Sequence, residues 1–144
     1  MSVEQMSQAE KNDGHKSCPI DYNRRVFRSV KNSNYGGRSA ETVFFYRQEG
    51  PVVYASYNGG DILHGTLVGI VNTDGSLQFR YHHINQRFQL RSGTCTSTFQ
   101  MLRDGRLRLY EKWNWLDEDR AEGESILEEV KHTSLSPYVS KAYV

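Results

Sequence analysis

Polar and apolar side chains alternate along most of this chain, most clearly over residues 104–116. After Asp104-Gly105, a turn dipeptide, Leu107, Leu109, Trp113 and Trp115 fall on one face. Arg106, Arg108, Lys112 and Asn114 fall on the other. That is the period of a half-buried strand rather than of a helix. Glu111 interrupts the apolar face between Leu109 and Trp113. A carboxylate there must be paired, protonated or wetted, because burying it bare is too costly.

The same reading predicts strands over 24–31, 41–48, 52–57, 62–72, 76–84, 88–99, 106–116 and 124–131. They are separated by turn chemistry: Glu49-Gly50-Pro51, Asn58-Gly59-Gly60-Asp61, Asp74-Gly75 and Asp104-Gly105. Such dipeptides reach positive φ cheaply, as tight hairpins require. In 62–72, Gly65 and Gly69 share a face with Leu63, Leu67 and Val71, and glycines inside a strand mark coiling or close backbone approach. The composition of 124–130 also suits a short helix. The strand reading is preferred because every preceding segment is a strand and the series needs a closing one. Residues 117–123 read as a charged loop. Residues 1–20 are polar without a sustained period and read as a disordered leader; 132–144 read as an irregular tail.

Short connections make consecutive strands antiparallel neighbours. About eight strands in a meander stack as a sandwich or close into an up-and-down barrel, and closure removes both edges. The expectation is therefore one all-β domain over 21–131, an antiparallel up-and-down small barrel of about eight strands, of the lipocalin/calycin type. Such an interior is just wide enough for one small ligand.

At 144 residues the length fits a single domain. The net charge of +1 gives no global field toward nucleic acid or an anionic membrane. Scattered arginines are balanced by Glu118, Asp119, Glu122, Glu128 and Glu129, so no nucleic-acid partner is expected. No apolar run is long enough for a membrane span and no secretory leader is evident, which makes the cytoplasm the default location. Cys18 and Cys95 form no CxxC motif or disulfide framework. His82 and His83, adjacent on a strand, point to opposite faces and cannot chelate together; His15 and Cys18 lack a second pair of ligands. No metal and no cofactor is expected.

If the apolar faces point inward, Tyr81, His83, Glu111, Trp113 and Trp115 converge in the lumen. Aromatic walls with a few convergent polar groups are how small-ligand pockets are built. The same set also suits a closed core in which Glu111 bonds to a histidine or tyrosine. Three function classes stay open: a small-molecule binder, an enzyme using His83 and Glu111 as acid and base, and a protein-interaction module. No catalytic residue is assigned, and the oligomeric state is not read.

Three blocks together carry a resemblance: 80–85 (RYHHIN), 111–115 (EKWNW) and 125–129 (SILEE), supported by 23–30 and 65–69. The set resembles a family of small, mostly bacterial proteins often labelled "N-acetylglutamate synthase", over roughly residues 22–130. The label implies acetyl transfer from coenzyme A. That chemistry ordinarily uses a glycine-containing turn at a helix N-terminus to hold pyrophosphate. Gly36-Gly37-Arg38 and Arg91-Ser92-Gly93 come nearest, and neither follows a strand and opens a helix. The label is therefore read as a name and not as an activity.

Overall fold

A computed structural model describes residues 20–32, 41–117 and 120–131. The predicted tail, residues 1–19 of the leader, and most of the loop after the first strand lie outside the described residues. Eight strands follow in order: β1 Val26–Asn32, β2 Val43–Glu49, β3 Val52–Gly59, β4 Ile62–Val71, β5 Leu77–Asn85, β6 Leu90–Met101, β7 Leu107–Trp115 and β8 Glu122–Glu129. Each pairs antiparallel with the next, and β8 returns to β1, so the sheet closes as the meander predicted. The ambiguous segment is the closing strand β8, which pairs with β1 and β7.

The turns behave as their residues dictate. Gly75 and Gly105 have φ of 87° and 89°, where a side chain would be strained. Asp74 and Asp104 each accept the N–H two residues on, at 2.9 and 3.2 Å.

Three details depart from the alternation. A register shift between Ile62 and His64 inserts a bulge. It leaves Leu63 exposed rather than on the inner face with Leu67 and Val71. The sixth strand starts at Leu90 and not at Phe88, which takes a left-handed φ of 59° in a turn held by Asn85. The Asn85 side chain accepts the N–H groups of Arg87 and Gln89. Gly123, read as loop, belongs to β8.

The barrel has two unlike ends. Around the β2–β3, β4–β5 and β6–β7 turns, Phe27, Tyr46, Val53, Leu77, Leu107, Leu109 and Leu127 are almost wholly buried. Tyr22, fully buried, closes that end from the chain entering β1, and its hydroxyl donates to the Gly75 carbonyl at 2.6 Å. Ile20, the last residue of the expected leader, packs in the same core. Arg106, Arg108 and Arg25 sit outside and pair with Glu128 and Glu129. Among the described residues no helix is long and apolar enough to cross a membrane.

Candidate functional site

The other half of the lumen holds a cavity of about 550 Å³. It extends to Gly60 and Asp61 of the β3–β4 turn and to Gln86 and Arg87 of the β5–β6 turn, which mark its mouth. The size falls within the range of small-molecule sites. Tyr81, His83, Glu111, Trp113 and Trp115 all line it, so the structure brings all five residues of the expected set together.

Strand pairing explains why there is space. Four wall aromatics each face a glycine on the neighbouring strand: Tyr57 opposite Gly65, Phe79 opposite Gly69, Tyr81 opposite Gly93 and Trp113 opposite Gly123. A Cβ at Gly123 would lie 2.5 Å from the Trp113 ring, and one at Gly65 or Gly93 would collide with the ring of Tyr57 or Tyr81. The rings of Tyr57, Tyr81 and Trp113 therefore lie back against glycine instead of projecting across the lumen. With larger residues opposite, these rings would have to swing inward and fill the space.

The rings form a continuous wall. Phe44 stacks on Tyr57 at 5.0 Å, and Tyr57 meets His83 edge-on at 5.7 Å. Trp115 makes edge contacts with His83, Tyr81 and Trp113 at 5.6, 5.3 and 5.5 Å. At the rim the Arg91 guanidinium lies 4.2 Å from the Trp115 ring centre and is ion-paired with Asp117. This favourable cation–π contact fixes Trp115 in place.

The polar groups are few. His83 Nδ1 lies 2.9 Å from the Tyr57 hydroxyl, and the ring tautomer decides which of them donates. Burial, and then the Arg91 charge, push the His83 pKa down to about 4, so the ring is neutral near pH 7. Glu111 is the one buried acid among the described residues. Its neighbours across both strand pairs are serines, Ser97 on β6 and Ser125 on β8, small enough to leave the carboxyl room. Ser125 Oγ donates to Glu111 Oε1 at 3.2 Å; Oε2 has no partner. Burial lifts the Glu111 pKa to about 7, against the smaller opposing effect of the Ser125 hydrogen bond. The hydroxyls of Tyr81, Tyr46 and Ser97 are also buried without partners. Most buried polar groups find partners, so this grouping calls for an explanation.

Among the described residues no hydrogen bond joins His83 to Glu111, or Glu111 to a tyrosine, so the satisfied core pair is not formed. Cys95 lines the same cavity as a buried free thiol, its pKa raised chiefly by burial. No cluster of metal-ligating residues occurs among the described residues. Sequence reasoning missed Tyr57, Phe79, Phe44 and Ser125 as wall residues. The alternation through Val53, Ala55 and Tyr57, and through Leu77, Phe79 and Tyr81, carried that signal for two of them.

No curated protein matches the chain. A family profile described as "Avidin-like protein" matches residues 20–130, the whole barrel from Ile20 through β8, and says nothing about acetyl transfer. The match covers most of the chain and agrees with the closed eight-strand meander: the protein belongs to the avidin-like family.

Proposed function

We infer that the barrel binds a small, largely apolar molecule in its lumen without transforming it. The observation that carries this reading is the cavity of about 550 Å³, walled by aromatic rings, into which Tyr81 and Glu111 bring buried polar atoms that no group among the described residues satisfies. Such atoms are costly in an apolar surrounding, and a ligand that hydrogen-bonds them removes the cost. Tyr81, His83, Glu111, Trp113 and Trp115 are the proposed contact residues. Family membership supports binding inside a barrel.

The acid–base alternative is less well supported, since His83 and Glu111 hydrogen-bond to Tyr57 and Ser125 and not to each other. Native mass spectrometry of protein purified from its own host, under non-denaturing conditions, tests the binder reading. A retained small molecule, lost when Trp113 is replaced by alanine in a still-folded variant, is expected. An empty lumen that also fails to quench or shift Trp113 and Trp115 fluorescence with any of a broad ligand set refutes it. Incubation with acetyl-coenzyme A and glutamate is expected to give no saturable acetyl transfer.

A further inference from the structure

Among the described residues, no cationic side chain pairs with the acid buried in the lumen. Glu111 Oε2 is unpartnered, its residue is about 94% buried at 6% exposure, and the side chain lines the cavity. Arg91 is held at the rim by Asp117 and Trp115. Arg87 stands at the mouth together with the acid Asp61. The rings of Trp113, Trp115, Tyr81 and Phe79 line the same cavity as the carboxyl. Carboxylate plus aromatic faces is a cation-selecting combination, because the ring quadrupoles and the acid both attract positive charge.

We propose that the ligand is an organic amine, an ammonium group on an apolar or aromatic body, whose charged nitrogen pairs with Glu111 inside the aromatic wall. This rests on the lumen-binding reading and narrows it to a chemical class. The ammonium supplies the counter-charge that the barrel omits, and the apolar body fills the rest of the cavity. A neutral ligand would meet Glu111 in its protonated form. An anionic one would meet a repelling carboxylate. The titration of Glu111 near neutrality is consistent with this: an arriving cation draws its pKa down, so binding near pH 7 releases part of a proton to solvent. The other titratable groups facing Glu111 are Tyr46, Tyr81 and Cys95, and burial raises the pKa of each, keeping all three neutral through this range. His83 protonates only near pH 4.

The test compares each amine with its neutral isostere: 2-phenylethylamine with 2-phenylethanol, cyclohexylmethylamine with cyclohexylmethanol, and a quaternary ammonium with its tert-butyl analogue. Calorimetry and Trp fluorescence are run on the full chain at pH 5.5 and pH 8. The expected result is at least tenfold tighter binding of amine than of alcohol at pH 8, a smaller gap at pH 5.5, and an amine-binding enthalpy that varies with buffer ionisation enthalpy, the mark of proton release. Glu111→Gln should erase the gap and the proton release. Glu111→Asp, keeping the charge, should retain the preference if Gln loses it. Alcohols binding as well as amines, or an amine preference that survives Glu111→Gln, overturns the amine assignment and leaves the binder reading standing. Failure of every pair to bind overturns the amine assignment, while the binder reading stands or falls on the retained molecule and the broad ligand set.

Discussion

Replacing Glu111 by glutamine should expose a pH dependence of stability that the parent protein conceals. Glu111 rises from an ordinary 4.5 to about 7 in the fold, and His83 falls from 6.5 to about 4. The signs follow from linkage. The folded protein holds the Glu111 proton more tightly than the unfolded chain does. Its stabilisation is complete below pH 4.5 and is lost as pH rises to about 7. The folded protein resists protonating His83. Stability from that group is complete above pH 6.5 and is lost as pH falls to about 4. At about 1.4 kcal/mol per tenfold change in proton affinity, the Glu111 swing is about 3 kcal/mol. The His83 swing is smaller, about 2 kcal/mol, because its ring faces a cavity open to water at the mouth. The two windows overlap between about pH 4.5 and 6.5, so in the parent the contributions largely offset each other and leave a net fall of about 1 kcal/mol. Glu111→Gln removes the falling component and should leave stability rising by about 2 kcal/mol between roughly pH 4 and 6.5. His83→Phe removes the rising one and should leave stability falling by about 3 kcal/mol between roughly pH 4.5 and 7. The readout is the slope of each variant's profile relative to the parent, since new packing and hydrogen bonds alter only the offset. Urea unfolding followed by Trp fluorescence at half-unit pH steps measures it. Variant profiles parallel to the parent would show that these groups titrate normally, and the lumen would then be far wetter than the structure implies.

Other expectations follow from individual contacts. Gly123→Ala should push the Trp113 ring off β8 and into the lumen, costing about 1–3 kcal/mol and shifting Trp emission; an unchanged spectrum and unchanged ligand uptake would show that the ring is not held against the glycine. Tyr22→Phe removes the donor to the Gly75 carbonyl and should cost about 1–2 kcal/mol, read as a lower urea midpoint. Deleting residues 1–19 should leave that midpoint unchanged on compositional grounds, whereas deleting through Tyr22 should cost on the order of 3–5 kcal/mol. In a Cys18→Ser background, Cys95 should resist aromatic disulfide reagents at neutral pH and react only at the rate of unfolding, because it is buried and its thiolate is disfavoured.

The inner face was legible because alternation runs through most of β5 and β7, even with Glu111 set among the apolar positions, so Tyr81, His83, Glu111, Trp113 and Trp115 could be placed together before any pairing was known. Alternation alone does not reveal which strand positions face one another. The four glycine–aromatic pairs depend on register, and Gly123 lay in an acidic run, 117–123, that reads as loop by composition. Leu63 fits the inner face by counting, but one inserted residue at the bulge reverses the outcome. Ile20 and Tyr22 carry no period because they form no strand. Their burial is set by the open end of a barrel that a linear pattern does not display. The orphaned oxygen on Glu111 was foreseen only as a problem to be solved. That Ser125 would solve half of it required the β7–β8 register.

The difference between the two ends of the barrel has an energetic logic. The end closed by Tyr22 is filled with leucine, valine and phenylalanine, and its tyrosine hydroxyl is bonded at 2.6 Å. Burial of each such large side chain contributes about 1.5–3 kcal/mol. The mouth end has the opposite composition: glycines that contribute no side-chain burial, rings lying back to leave space, and the Tyr81 hydroxyl and Glu111 Oε2 buried without partners among the described residues. Each of those orphans costs roughly 1–3 kcal/mol in the empty protein. A core selected for stability alone would place aliphatic residues at 93, 111 and 123 and close the gap. Their absence means that the packed end offsets a cost retained at the other end. That cost is recovered when a ligand supplies the missing partners, so ligand binding should raise the stability of the parent by more than it raises that of Glu111→Gln.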